Sequence, residues 1–228
     1  YFDFVNTRYK IETALPIILP VYMNTHVLLL NAAKILNVIF YSRTVCELGF
    51  LTAVYIVIFL YGIYLVLRAL RTKQLWVNIL IGFAVTIVML DRGNTLYFGS
   101  LYAEPAAFVS FLLALGVFMN MLRFKRFSKY NVCMFFISLM FFMGAKVQYG
   151  LLSVLFIPLS VLMIKLADRK NMKRLIKIMT SVMIIVSIGV YLIQPPYLDE
   201  VTTFDSVFCG VLTGDENADK QALKELGL

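Results

Sequence analysis

Six stretches of this chain stay apolar long enough to cross a lipid bilayer, and that limits its fold more than any motif does. A hydrocarbon core of about 30 Å takes about 20 mostly apolar residues as a helix, and a backbone in lipid must satisfy its own hydrogen bonds. The runs are 49 to 67, 75 to 90, 105 to 122, 131 to 145, 151 to 166 and 178 to 193, several borrowing flanking aromatic residues to reach full length. Composition agrees, with 61% of the 228 residues hydrophobic, 15% charged and a mean hydropathy of +0.85. Those values lie outside the range of soluble domains. The expected fold class is all-α: a polytopic transmembrane helical bundle of about six spans, with an interfacial helix on its outer face and the start of an outer soluble segment.

Charge orients the bundle. The loops around 68–73, 123–129 and 165–177 hold thirteen of the 21 Lys and Arg residues against the single acid Asp168. Short cytoplasmic loops accumulate Lys and Arg, so that face is read as cytoplasmic. The opposite face carries the other eight bases and twelve of the thirteen acids, and the net charge of +8 is the sum of a basic inside and a mildly acidic outside. Membrane topology and anionic lipid headgroups explain the basic pI of about 9.4, and no nucleic-acid partner is expected.

Three regions follow. Residues 1–48 form an extracytoplasmic loop, 49–193 the six-span transmembrane domain, and 194–228 an extracytoplasmic soluble segment. In the first, "THVLLLNAAKILNVIFYSR" is apolar nearly all round except for Asn31, Lys34 and Asn37, spaced three apart on one helical face. That pattern suits a helix lying in the outer interface. Upstream, Pro16 and Pro20 in "ALPIILPVY" argue against a regular span. A span over 13–31 would also invert everything downstream and set it against the basic loops. In the last region "NADKQALKELGL" reads as a short capped helix. The chain opens on Tyr1 and stops soon after a helical pattern begins, and it reads as part of a longer protein.

Several chemistries are set aside. Cys46, Cys133 and Cys209 are an odd, widely spaced set without a C-x-x-C pair, and His26 is the only histidine. A histidine metal centre or a Ser-His-Asp triad within this chain is not expected. No glycine loop on the cytoplasmic side suggests a nucleotide site.

The polar chemistry lies at the outer boundary. In "LDRGNTLYFGSLYAEPAAF", Asp91 ends one apolar run and Glu104 begins the next, with Arg92, Tyr97, Phe98 and Tyr102 between them. Acids are costly in hydrocarbon, so both belong at the membrane surface or in a wet cavity. The rings equally suit an ordinary aromatic belt. Glu104-Pro105 is a good helix entry, since Pro fits the first turn and an acid suits the dipole. In "GAKVQYG", Lys146, Gln148 and Tyr149 join two runs. Lys146 could simply snorkel. Alternatively, Lys146, Gln148 and Arg92 supply the cation and hydrogen-bond donors that a lipid-linked phosphate needs.

Taken together, an outer first loop with an interfacial helix, an acid directly after a span, and an aromatic-Ser-x-Tyr-x-Glu-Pro stretch resemble the GT-C superfamily of integral membrane glycosyltransferases. The resemblance is to bacterial hexose transferases of surface-glycan assembly, through "DRGNTLYFGSLYAEP" and "FDSVFCGVLTGDENADKQALKELGL". It covers most of the chain, through loose motifs. It implies transfer of a sugar from a polyprenyl-phosphate donor to a glycan or lipid acceptor at the outer face of a bacterial plasma membrane. It implies no fixed cofactor, although a divalent metal is compatible with it. Asp91 and Glu104 are then the candidate catalytic acids, and Asp3 is an alternative base because the family carries an acid near its first outer loop. Arg92, Lys146 and Gln148 are phosphate-side candidates, and Tyr97, Phe98 and Tyr102 are candidates to stack on sugar rings. A transporter or flippase for lipid-linked sugars, which needs polar residues at mid-membrane, is the rival reading. A noncatalytic membrane subunit is another.

Overall fold

The computed structural model describes residues 7–11, 24–91 and 95–192. Asp3, Glu12, Pro16, Pro20, Arg92 and the segment 194–228 lie outside the described residues. Helix α1 spans Thr25–Phe40, and the Asn24 side chain caps it by accepting from the Val27 N–H at 2.9 Å. Its polar stripe turns inward: Lys34 and Asn37 are buried, while Leu28, Ile35, Ile39 and Phe40 on the other side are exposed. Asn37 is fully enclosed and holds the following loop. Its amide donates to the Ser42 and Val45 carbonyls at 2.9 and 2.7 Å and accepts from the Glu47 N–H at 3.0 Å. The loop is thereby stretched into strand β2, Val45–Glu47, which pairs antiparallel with β1, Arg8–Lys10, with Tyr9 opposite Cys46. The all-α expectation missed this small sheet, because its partners are far apart in the chain and a buried asparagine creates its edge.

The remaining helices are α2 (Gly49–Leu70), α3 (Leu75–Met89), α4 (Glu104–Phe124), α5 (Lys129–Met143), the single turn α6 (Val147–Gly150), α7 (Ser153–Leu166) and α8 (Lys170–Leu192), with a 3-10 turn at Leu96–Gly99. Helix α4 ends where Lys125 adopts a left-handed conformation, φ 50°, and the Arg126 N–H bonds back to the Met121 carbonyl at 3.2 Å.

The centre of the bundle is the crossing of α2 and α4. A Cβ on Gly116 would lie 2.8 Å from the Leu65 Cβ and 3.0 Å from the Gly62 carbonyl oxygen, so α2 closes on α4 where Gly116 carries no side chain. Without a hydrophobic drive between helices in lipid, such close van der Waals contact and interhelical hydrogen bonds hold them together. One turn further on, the Asn120 amide donates to the Leu65 carbonyl at 2.5 Å and to the Gly116 carbonyl at 2.8 Å. A second core joins α4, α5, α7 and α8 through Met121, Phe136, Met143, Met163, Ile176 and Met183, all fully buried. Helix α3 buries none of its residues, which suits an apolar helix flanked by lipid.

By length and composition, Gly49–Leu70, Glu104–Phe124 and Val147–Leu166 are long and apolar enough to cross a membrane, while Thr25–Phe40, Leu75–Met89 and Lys129–Met143 are shorter apolar helices. The difference from the expected count has a geometric cause. At about 1.5 Å per residue, a 15-residue helix such as α3 or α5 falls short of a 30 Å core. Helix α8 has 23 residues but begins on Lys170, Lys173, Arg174 and Lys177, which shortens its apolar part.

The crossing yields a paired test. Gly116→Ala should cost about 1–3 kcal/mol in detergent unfolding, the usual penalty for overpacking. Gly82→Ala on α3, where a new Cβ would meet nothing within 4 Å, should be neutral or stabilising by up to about 1 kcal/mol. Equal effects at the two sites would remove the crossing as the organising contact.

Candidate functional site

At the end of the bundle away from the basic loops, four segments converge. Glu104 opens α4, with Pro105 next to it in the first turn. Between α5 and α6 the chain turns through Gly144, and Lys146 follows in extended backbone, φ −140° and ψ 144°. The turn is tight because α1 docks on it. The Thr25 N–H donates to the Gly144 carbonyl at 2.9 Å, and the Thr25 hydroxyl donates to the Phe141 carbonyl. A Cβ on residue 144 would come within 2.6 Å of the Thr25 Cγ2 and 3.0 Å of the Met140 carbonyl, so this contact requires glycine.

The docking brings Glu104 and Lys146, 42 positions apart, into a direct ion pair through Oε1 and Nζ. Their side chains are 42% and 34% exposed. Solvent screening at that exposure leaves such a pair worth about 0–1 kcal/mol, so it contributes little to holding the fold. The second carboxylate oxygen, Oε2, is shielded and has no hydrogen-bond partner among the described residues.

Directly behind the pair lies His26, 5% exposed, with its Nδ1 2.8 Å from the hydroxyl of the fully buried Tyr55 on α2. Burial pushes the His26 ring below its ordinary pKa, while a hydrogen bond with the Leu101 backbone and the charge of Glu104 act in the opposite direction. The imidazole therefore favours its neutral form more than a free histidine does. Residue typing alone passed over His26 and Tyr55. The available signal was spacing, since His26 shares the buried face of α1 with Leu29, Ala33, Lys34 and Asn37.

The other sequence candidates are distributed as follows. Asp91 is exposed just beyond α3, where its main-chain carbonyl accepts from the Thr95 N–H and hydroxyl, each at 3.2 Å. Tyr97 and Tyr102 form an edge-to-face pair, 5.8 Å between centroids, on the surface. Phe98 turns the other way. It is buried and packs edge-on against Phe59 at 5.5 Å and beside Tyr55 at 5.8 Å, so its ring supports the site from behind rather than offering a stacking face. The 3-10 geometry of Leu96–Gly99 separates the two directions, and the Thr52 hydroxyl holds the Phe98 carbonyl at 3.1 Å. Gln148 is exposed on α6, and Tyr149 stacks on Phe142 at 5.1 Å and 15°. Asp3 and Arg92 lie outside the described residues. Among the described residues, no three His, Cys, Asp or Glu side chains gather as a metal centre. Burial raises the pKa of the Cys46 thiol, with the nearby Lys34 charge opposing it, which disfavours the thiolate.

Residues 1–228 match the family model described as the YfdI N-terminal transmembrane domain. No curated protein and no solved structure matches the chain.

The buried histidine predicts a pH dependence. Its pKa is lower folded than unfolded, so its contribution is intact above the ordinary value of about 6.5 and is lost as pH falls below it. Thermal midpoints in detergent should fall between pH 7.5 and pH 5.5 more steeply for the wild type than for His26→Gln. Parallel pH profiles would show that the ring charges freely within the fold.

Proposed function

The chain belongs to the YfdI N-terminal transmembrane domain family, and on that premise we propose that it acts as a GT-C-like membrane glycosyltransferase, most like the bacterial hexose transferases of surface-glycan assembly. In this reading α2, α3, α4, α5, α6 with α7, and α8 make six spans in a bacterial plasma membrane, the 15-residue α3 and α5 completing their crossing with flanking residues. The thirteen bases of the three basic loops then face the cytoplasm, and the Glu104–Lys146 site faces outward. The donor is a sugar on a polyprenyl-phosphate carrier, and the acceptor is a glycan or lipid hydroxyl.

The observation that carries the proposal is the pairing of Glu104 with Lys146 at the bundle end remote from the basic loops, with Glu104 Oε2 left without a partner among the described residues. Group transfer from a phosphate carrier can use both groups, a carboxylate to take the acceptor proton and a cation to stabilise the departing phosphate. The acceptor oxygen forms a bond to the sugar C1 as the bond from C1 to the phosphate oxygen breaks. The acceptor proton passes to Glu104, and the departing lipid phosphate keeps the bonding electron pair. Its growing negative charge is stabilised by the Lys146 ammonium, an interaction that strengthens toward the transition state. Tyr97 and Tyr102, paired and outward-facing, offer aromatic faces to the sugar, and Gln148 offers a donor at the rim. Asp91 is the second acid of this surface, and His26 with Tyr55 braces the wall behind Glu104.

The test compares glycan product from labelled polyprenyl-phosphate sugars in membranes holding equal amounts of each variant. Glu104→Gln should lose about 100-fold or more, the usual range for a general base. Lys146→Met should fall comparably with little change in thermal stability, because the screened pair contributes at most about 1 kcal/mol. Undiminished product from both variants would point to a noncatalytic role for this pair and move the search for a base to Asp91 and Asp3.

A further inference from the structure

The opposite end of the bundle holds a cavity of about 690 Å³ between α2, α4 and the start of α5. Its lining is polar for a site in a membrane protein: Tyr61, Arg68, Asn120, Arg126, Tyr130 and Asn131 all face it. We propose that this cavity binds the phosphate of an anionic lipid headgroup that carries a hydroxyl or ammonium donor.

Four observations converge on it. Arg68 lies in the last turn of α2, with its guanidinium 5.2 Å above the Phe124 ring, a contact that orients the planar fork. Arg126 follows the left-handed residue that ends α4, and its main-chain carbonyl is tied down by the Asn131 amide at 3.1 Å. Among the described residues neither arginine has a carboxylate partner, since the ion pair found is Lys146 with Glu104. Two unpaired guanidiniums beside one cavity match the bidentate recognition of a phosphate.

The third observation is Asn120, 9% exposed. Both protons of its amide are committed to the Leu65 and Gly116 carbonyls, which fixes its orientation and leaves Oδ1 without a partner among the described residues. A buried acceptor without a donor is costly, and a headgroup hydroxyl or ammonium would complete it. The fourth is the pair of tyrosines, Tyr61 and Tyr130, which line the cavity together with Arg68. Tyrosines of this kind mark the level at which headgroups sit. The volume falls in the range of small-molecule sites, large enough for a glycerophosphate group whose acyl chains leave along α2 and α5. Diffuse attraction of anionic lipid to the thirteen-base face would involve every Lys and Arg there alike. The cavity singles out two of them. None of this depends on the reaction proposed for the other end.

The test is lipid binding by the intact protein in phosphatidylcholine nanodiscs, titrated with phosphatidylglycerol and read by native mass spectrometry. Arg68→Gln/Arg126→Gln should weaken retention by about tenfold or more, as expected for losing two charge-assisted contacts. Lys73→Gln/Lys177→Gln removes the same charge from the same face and should stay within about twofold of wild type. If the double arginine variant does not fold, Arg126→Gln alone, which lies on a loop, should still weaken retention several-fold. Equal losses in the arginine and lysine pairs, or no loss in either, would overturn the proposal. Glycerol 1-phosphate, added at millimolar concentration as a soluble competitor, separates the two phosphate sources. Failure to displace the lipid supports a headgroup site, and displacement would overturn the lipid assignment in favour of a free phosphate.

Discussion

The contact on which the rest depends is the crossing of α2 and α4. Helices in lipid gain nothing from hiding apolar surface from one another, so a stable pair must come close enough for backbone contact or share hydrogen bonds. Gly62 and Gly116 supply the closeness, and Asn120 supplies the bond to the Leu65 carbonyl. Once those axes are fixed, the two ends of the bundle are fixed as well. The first turn of α4 carries Glu104 to one end, and the last turns of α2 and α4 carry Arg68 and Asn120 to the other.

The second constraint is the seat of α1. A 16-residue helix with an apolar outer face gains specificity from polar residues such as Thr25, His26 and Asn37, which have defined partners in the bundle or the adjoining loop. Thr25 binds the turn at Gly144, His26 meets Tyr55, and Asn37 organises the loop that becomes β2. His26 and Asn37 are buried, Thr25 is half-buried, and each has a hydrogen-bond partner, which is the condition for burying a polar group at all. The α5–α6 turn is shaped by this docking, and Lys146 reaches Glu104 from that turn. A structural contact at Thr25 thereby sets the geometry of a charge pair belonging to other helices.

How much of this was legible in the sequence varied with the kind of signal. The asymmetry of Lys and Arg and the length of the apolar runs are one-dimensional, and the helices at Gly49–Leu70 and Glu104–Phe124 follow the runs read at 49–67 and 105–122 closely. Glu104 and Lys146 could each be singled out from position and charge, but their meeting could not, because it depends on how α4 and α5 pack. Phe98 was misread for the same reason: three neighbouring aromatics look alike in sequence, and only the 3-10 turn sends Phe98 inward and Tyr97 outward. The small sheet was invisible because it arises from the fold around Asn37, and for His26 spacing gave its inward face but not its partner Tyr55. The number of spans was the least legible quantity, since it turns on whether a 15-residue helix with flanking polar residues is long enough.

Magnitudes separate the groups that hold this molecule from those that are free to work. The glycine crossing and the bonds of Asn37 and Asn120 lie in buried surroundings where each loss leaves a clash or an unpaired polar group, at about 1–3 kcal/mol apiece. The Glu104–Lys146 pair, about one-third to two-fifths exposed, is worth less than any of them. A charge pair with so small a structural contribution can exchange its partners for a ligand's charges without endangering the fold. Arg68 and Arg126 at the other end are in a similar position, because both are exposed and the helices that bear them are held by Gly116 and Asn120. The interactions that stabilise this bundle therefore run through its middle, and the charged groups at either end contribute little to holding it together.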